Sequence, residues 1–527
     1  MPTHVPEQKH AESFFIHVLW NWLSVAANLF VGFTLTRFLI RSLTDEQYGV
    51  WFLTFSLAEY ATLFDFGFRS AVVNFVSRFR VQQDNQAMSE AISTALAYFV
   101  GIAAFCLALA LALANQAYRF FHISLANRSD FGFLLTVVGF IWAGTFISNI
   151  FQASLEAFQA FKIANKIVVG TLLVRSICCV IVLYLGYHLR ALGICTLIAQ
   201  CASWVMIYTA FRRVLPDIKV DRKFISAARW KDMAKYGVNS VYANVGGLFL
   251  NQGPPLVIGH YLPATFVGYY GLPFRLLNYM VDLITRIGFV TAPKTSELWA
   301  QGQREQIGRL GTRLNRYCFA LFLPPSIFLA FYGQPLLTKW LVRPEFVSQC
   351  APLLPVFTLS VSLAVSAQFN SSSMLYGMAK HGSFALSLLA EAVLSLTGMA
   401  LVLPYYGIFG AACVSAGLTI VNRGFITPFI LCRELPYNYL HYMGSIYLRP
   451  LLSALPVVGL AMLLRSSWLP GQTITQLVLA GGLILASGLL LSLVFCVEPV
   501  HRALLWRTLR QRVGKETPVP KPDPQYT

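Results

Sequence analysis

Apolar residues run through this chain in blocks of about twenty, separated by short polar or basic pieces, from near residue 14 to near residue 495. A helix rising about 1.5 Å per residue crosses the roughly 30 Å apolar layer of a bilayer in such a block. By windowed hydropathy about fourteen blocks begin, near residues 14, 50, 91, 131, 167, 190, 233, 265, 314, 351, 382, 407, 448 and 473. Period-two alternation, the mark of a membrane strand, is absent, which excludes a transmembrane β-barrel. The pattern predicts an all-α polytopic membrane protein. Its opening, "MPTHVPEQKHAES", lacks a basic region and a short apolar core with a small-residue cleavage site. The first span is therefore expected to be retained.

The chain has 527 residues, of which 56% are hydrophobic and 12% charged, and its mean hydropathy is +0.61. A soluble domain carries about 25% charged residues. With so little polar chain, a separate folded catalytic domain is excluded. Ten cysteines are scattered, mostly within apolar blocks, including Cys106, Cys178, Cys179, Cys195 and Cys413. They form no C-x-x-C and read as small buried hydrophobes, with Cys350 as the one expected to be exposed.

The net charge is +18, and its placement explains it. "RFRVQQDNQ", "FRRVLPDIKVDRKFISAARWKDMAK", "KTSELWAQGQREQIGRLGTRLNR" and "HRALLWRTLRQRVGK" fall between alternate blocks. The other set of loops includes "GHYLPAT" and "LPYYG". Basic residues divide roughly 27 to 8, which assigns the first set and both termini to the cytoplasm by the positive-inside bias. Topology, rather than nucleic acid, accounts for the positive balance.

The sequence repeats once. "SVAAN" at 24–28 returns as "SVYAN" at 240–244, "LTDEQYGVW" at 43–51 as "LPATFVGYY" at 262–270, and "LRALGIC" at 189–195 as "YGIFGAA" at 406–412. Gly49 then aligns with Gly268, and Gly193 with Gly410. An even number of spans per copy gives two like-oriented halves with the substrate site between them. The expected plan is a first lobe at 1–212, a basic connector at 213–231, and a second lobe at 232–432. Two further spans at 433–499 and a tail at 500–527 complete it. Phe224, Ile225 and Ala228 of the connector are expected to face lipid.

Charges inside spans cost roughly 2.5–3.5 kcal/mol each at mid-bilayer, so they face protein or water. The arginines are Arg69, Arg175, Arg275, Arg286 and Arg423; the acids are Glu59, Asp65, Glu156, Asp282 and Glu391. Asp65 and Arg69 stand one helical turn apart and are expected to meet, with Gly67 between them permitting close approach. Arg275, Tyr279, Asp282 and Arg286 form a single stripe on one helix, as for a wet cavity or a salt-bridge ladder. By the assigned topology Arg69, Arg175, Arg286 and Arg423 lie in the cytoplasmic half and Arg275 towards the other side. Such a gradient suits an anionic head group, because guanidinium binds phosphate oxygens bidentately and keeps its charge. Asn28 and Asn244 occupy matching repeat positions, as helix contacts or as polar lining. Gly253, Pro254 and Pro255 interrupt the seventh span, as a static kink or a gating hinge. Glu391 is a candidate coupling group or a structural carboxylate. No nucleotide-binding loop, H-E-x-x-H or D-x-D is present, and the histidines show no ligand spacing, so no metal or cofactor is expected.

"RSLTDEQYGVWFLTFSLAEYATLFDFGF", "FQASLEAFQAFKIAN" and "LPYYGIFGAACVS" resemble motifs of the polysaccharide transporter family. That family sits in a superfamily shared with multidrug extruders and lipid II flippases. The resemblance covers about residues 14–500, and the last two spans resemble its fourteen-helix members. It implies two six-helix lobes, a cationic cavity and alternating access for an undecaprenyl-pyrophosphate-linked oligosaccharide crossing a bacterial inner membrane. Asp65 and Gly67 fall on the family's D-x-G stretch, and Arg275 and Arg286 on its cavity-lining eighth helix. The implied partners are that lipid-linked substrate, membrane lipids, and glycan polymerase and assembly proteins. The expectation is a flippase rather than an enzyme, with O-antigen or exopolysaccharide as cargo. The alternative is a proton- or cation-coupled drug exporter with Glu391 as its main cavity group.

Overall fold

A computed structural model describes residues 30–238, 241–341 and 343–503, with the side chains of 236–243, 282–290 and 365–367 left undescribed. Helix accounts for nearly all of it, and the described residues contain no strand. In chain order the helices are α1 (30–42), α2 (Asp45–Glu59), α3 (Phe68–Val81), α4 (Asn85–Ala114), α5 (Ala117–Phe120), α6 (Arg128–Ala157) and α7 (Phe161–Tyr184). They continue with α8 (Leu189–Val214), α9 (Ala227–Val238), α10 (Val241–Tyr261), α11 (Ala264–Ala300), α12 (Arg304–Leu341) and α13 (Pro344–Cys350). The last are α14 (Leu353–Ser360), α15 (Ser366–Gly377), α16 (Gly382–Thr419), α17 (Thr427–Glu434), α18 (Tyr439–Leu463) and α19 (Ile474–Phe495).

Among the described residues, the apolar blocks from the second onward fall mainly on helix. Among the described residues, nine helical stretches are long and apolar enough to cross a membrane. The blocks expected near 382 and 407 share one such stretch, divided at Gly407, whose φ of 58° and ψ of −156° interrupt α16. The first block lies mostly outside the described residues.

The start of α2 is legible in "LTDEQYG". Thr44 Oγ1 accepts the Gln47 amide at 3.2 Å, and Gln47 Oε1 accepts the Thr44 amide at 3.0 Å. This capping box satisfies two amides that a helix start leaves open. α2 ends in a 3-10 turn, Tyr60–Asp65, followed by Phe66 and Gly67 at φ 43° and 74°. Glycine enters that left-handed region at little cost and phenylalanine does not, so the break is built in. α3 resumes beyond it.

By contact the chain falls into two units. The first comprises Met1–Arg286, Leu337–Phe357 and His381–Asn422. Within it α4 packs on α6, α6 on α8, and α10 runs along α16. One buried cluster there gathers Phe68, Phe99, Phe146 and Phe211 with Ala71, Ala91, Ala95 and Ala153. Lipid tails are as apolar as these side chains, so close approach across small residues holds such helices together. The second unit comprises Ile287–Leu336, Thr358–Lys380 and Arg423–Thr527. There α18 packs on α19 and α15 on α17, around Tyr332, Val457, Ala461 and Ile484.

Two local features differ from expectation. Cys350 is fully buried, because α13 turns Phe346, Val347 and Cys350 inward and Phe346 packs edge-on against Tyr48 and Tyr269. The connector is docked as well as amphipathic. Ile225 and Ala228 are exposed, as expected, and Phe224 is half-buried. Its backbone, however, donates to a row of hydroxyls on α4: Lys219 to Ser89 at 3.2 Å, Asp221 to Ser93 at 3.3 Å, and Ser226 to Thr94 at 3.0 Å. Arg229 pairs with Glu90 at 3.2 Å. The Asp221 carboxyl accepts the Lys223 amide, which holds its pKa below the ordinary carboxylate value.

Candidate functional site

Three helices of the first unit bring polar groups together. α2 supplies Tyr48 and Glu59, α7 supplies Arg175, and α11 supplies Arg275 and Tyr279. Arg275 lies within electrostatic range of Tyr48, Glu59, Tyr279 and Arg175. Its side chain is nevertheless solvent-accessible, whereas Tyr48 is buried. Arg275 is thus the polar group on which α2, α7 and α11 converge.

The orientation of Arg275 is defined. Its Nε donates to Tyr279 Oη at 3.0 Å, one turn along α11, and its guanidinium carbon lies 5.9 Å from the Tyr279 ring centroid. The Tyr279 ring is seated against α1: it lies 5.8 Å from the Phe33 ring, which in turn lies 5.2 Å from that of Trp340. Among the described residues neither Arg275 nor Arg175 forms an ion pair with a carboxylate. α7 carries no acid near Arg175, and among the described residues Glu59 of α2 forms no ion pair with Arg275.

Arg69 sits otherwise. Its guanidinium pairs with Glu156 of α6 at 2.5 Å, and Gln152 donates to the same carboxylate oxygen at 3.2 Å. Asp65, expected to meet the Arg69 side chain, accepts the Arg69 backbone amide at 3.1 Å instead. The break at Phe66–Gly67 is the reason: it turns Asp65 into a cap for α3 and sends the Arg69 side chain to α6. Both carboxylates are therefore used locally.

Glu391 is buried in α16, where one carboxylate oxygen accepts Thr419 Oγ1 at 3.0 Å and the other accepts Asn422 Nδ2 at 2.7 Å. Gly253, Pro254 and Pro255 stay inside a continuous α10. They are buried, and a Cβ on Gly253 would stand 2.6 Å from Leu396 of α16. Asn251 Nδ2 donates to the Gly247 carbonyl at 2.8 Å in this stretch. Arg423 is half-buried in a π-helical segment, Ile420–Ile426, at the start of a stretch of the second unit. Asp282 and Arg286 belong to α11, but their side chains lie outside the described residues, as does Asn28. Sequence reasoning missed Tyr48 as a neighbour of Arg275 and α1 as the support of Tyr279. Glu59 carried a signal, being an acid in an apolar block; the α1 contact carried none.

Arg343 donates to the Ile40 and Leu43 carbonyls, both at 2.8 Å, and pairs with Asp45 at 2.9 Å. Tyr269 Oη donates to the other Asp45 oxygen at 2.6 Å. One guanidinium nitrogen thus satisfies two carbonyls at the end of α1 and forms an ion pair with an acid in the first turn of α2.

Comparison with known proteins places this arrangement. The profile of the family described as polysaccharide biosynthesis protein matches residues 38–342. A Shigella flexneri protein provisionally named an O-antigen transporter is 21% identical over 422 residues, covering 79% of this chain and 97% of that protein. Among solved structures, the lipid II flippase MurJ in an inward closed conformation aligns with a TM-score of 0.68 at 14% identity, over 94% of this chain and 99% of that one. An inward-facing multidrug transporter of the MATE family, in the MOP superfamily, aligns with a TM-score of 0.62 at 14% identity, over 76% and 94%. This chain is a multi-pass helical membrane protein of the polysaccharide biosynthesis protein family, and it has the fold of the MOP superfamily transporters.

Proposed function

We propose that the protein is a flippase carrying an undecaprenyl-pyrophosphate-linked oligosaccharide outward across a bacterial inner membrane. It works by alternating access between two like-oriented halves, with both termini in the cytoplasm. The observation that carries this reading is the Arg175–Arg275 group: two guanidiniums within electrostatic range of each other, Arg275 exposed and Arg175 half-buried, and neither with a carboxylate partner among the described residues. Like charges held near each other in a protein repel. A pyrophosphate entering between them relieves that repulsion and accepts their N–H groups in planar pairs. Arg286 and Arg423 are proposed to hold the anion at other stages, and Arg69, already paired with Glu156, to take part only when that pair opens. The family and the two named relatives support the cargo class.

Drug export would call for a titratable carboxylate as the main transport group. Glu391, the candidate for it, has both oxygens engaged within its own helix region, which weighs against that reading. Transport without bond-breaking also fits the absence of catalytic motifs in the sequence.

Cells lacking the gene and supplied with Arg175→Gln or Arg275→Gln test the proposal. Loss of surface glycan with normal membrane levels of protein is expected. Full restoration by both variants would remove these residues from the mechanism.

A further inference from the structure

The close contact between α1 and α11 bears directly on Arg275. A Cβ built on Gly32 would lie 2.1 Å from Tyr279 Oη, 2.5 Å from Cζ and 3.2 Å from Cε2. The phenol ring therefore occupies the space that any other residue at position 32 would fill. Its hydroxyl accepts the Nε proton of Arg275 at 3.0 Å. An arginine carries five N–H donors, one on Nε and four on the two Nη atoms. With Nε tied to Tyr279, the four Nη donors of Arg275 have no partner among the described residues. They are the edge of the fork that matches two oxygens of one phosphate.

We propose that Gly32 and Tyr279 form a positioning pair, by which helix α1 fixes the Arg275 guanidinium with its Nη edge free for a phosphate group. This rests on the functional reading above and assigns Tyr279 a role different from direct substrate contact. The phenol hydroxyl is wedged between α1 and Arg275, so it orients the cation and leaves phosphate contact to the guanidinium. Phe33 and Trp340 complete the seat of the ring. Separation of α1 from α11 frees the ring, and Arg275 then loses its fixed direction. Position 32 is thereby coupled to anion affinity although it bears no side chain.

The test uses the full-length purified protein in lipid nanodiscs, with inorganic pyrophosphate as the probe and calorimetry as the readout. Tyr279→Phe keeps the ring and removes only the acceptor; Gly32→Ala pushes the ring out of its seat. Each is expected to weaken pyrophosphate binding about tenfold. In an Arg275→Gln background, Tyr279→Phe is expected to have no further effect, which a merely structural role would not produce. Gly32→Ala added to Tyr279→Leu should likewise cost nothing more, since no hydroxyl remains to displace. If Gly32→Ala fails to fold, the Tyr279→Phe and Arg275→Gln comparison decides alone. Wild-type affinity in Tyr279→Phe, or equal losses in the presence and absence of Arg275, overturns the inference. No pyrophosphate binding by the wild type overturns the functional reading itself, an outcome distinct from an unchanged variant.

Discussion

Gly49 of α2 and Gly268 of α11 meet face to face: a Cβ on Gly268 would stand 3.5 Å from the Gly49 amide nitrogen and 2.8 Å from Tyr48 Cδ1. These are the positions that the internal repeat aligns. Contact between repeat-related residues is what an axis passing between α2 and α11 produces, and it supports the proposal of two like-oriented halves. A Cβ on Gly49 would fall 1.8 Å from the Ala264 carbonyl oxygen, and backbone there has no soft way to yield. Gly49→Ala is expected to cost about 1–3 kcal/mol through overpacking. Gly101→Ala, with nothing within 4 Å of its Cβ, is the control. Thermal unfolding of the two purified variants measures the difference.

Arg343 predicts a different kind of loss. Its Nη1 donates to two carbonyls and stands in an ion pair with one carboxylate oxygen, a placement held by the rigid guanidinium that a flexible ammonium reproduces poorly. Arg343→Lys is expected to destabilise the protein by about 2 kcal/mol, the scale of lost charge-assisted hydrogen bonds. Tyr269→Phe, which removes one bond to Asp45, should cost less. The order of the melting temperatures checks this.

Glu391 separates structure from coupling. Each of its oxygens accepts a donor, whereas an amide offers only one acceptor and turns its NH2 towards another donor. Glu391→Gln is expected to lower stability by about 1–3 kcal/mol and to leave the ion dependence of transport unchanged. An unchanged melting temperature with altered ion dependence would assign Glu391 to coupling instead.

The connector gives a pH effect of known sign. Asp221 has its pKa lowered from 3.8 by the Lys223 amide. The ionised form is thus favoured when docked, so its contribution is complete above that value and fades as pH falls below it. Limited proteolysis of residues 213–231 should be constant from pH 7 to about 4 and accelerate below. Asp221→Asn should remove that dependence.

The helices were legible because bilayer-length apolar blocks leave little choice of structure. The capping box at Thr44–Gln47 was likewise local. What escaped was long-range. Spacing placed Asp65 and Arg69 on one face, yet a phenylalanine in the left-handed region broke the helix between them, and the true partner, Glu156, lies on α6. Charge alone gave five arginines equal standing. Only the geometry separates Arg69, which has a carboxylate, from Arg275, which has a phenol and an open edge. Gly32 offers no chemistry to notice in a sequence, since its role is to be small.

The most direct measurement is outward translocation of a pyrophosphate-linked lipid oligosaccharide by the purified protein in liposomes. Wild type and Arg175→Gln/Arg275→Gln are to be compared at equal incorporation. The account predicts transport by the wild type and a loss of at least about tenfold in the double variant, the scale of one or two charge-assisted hydrogen bonds. Translocation by the double variant at the wild-type rate would contradict it.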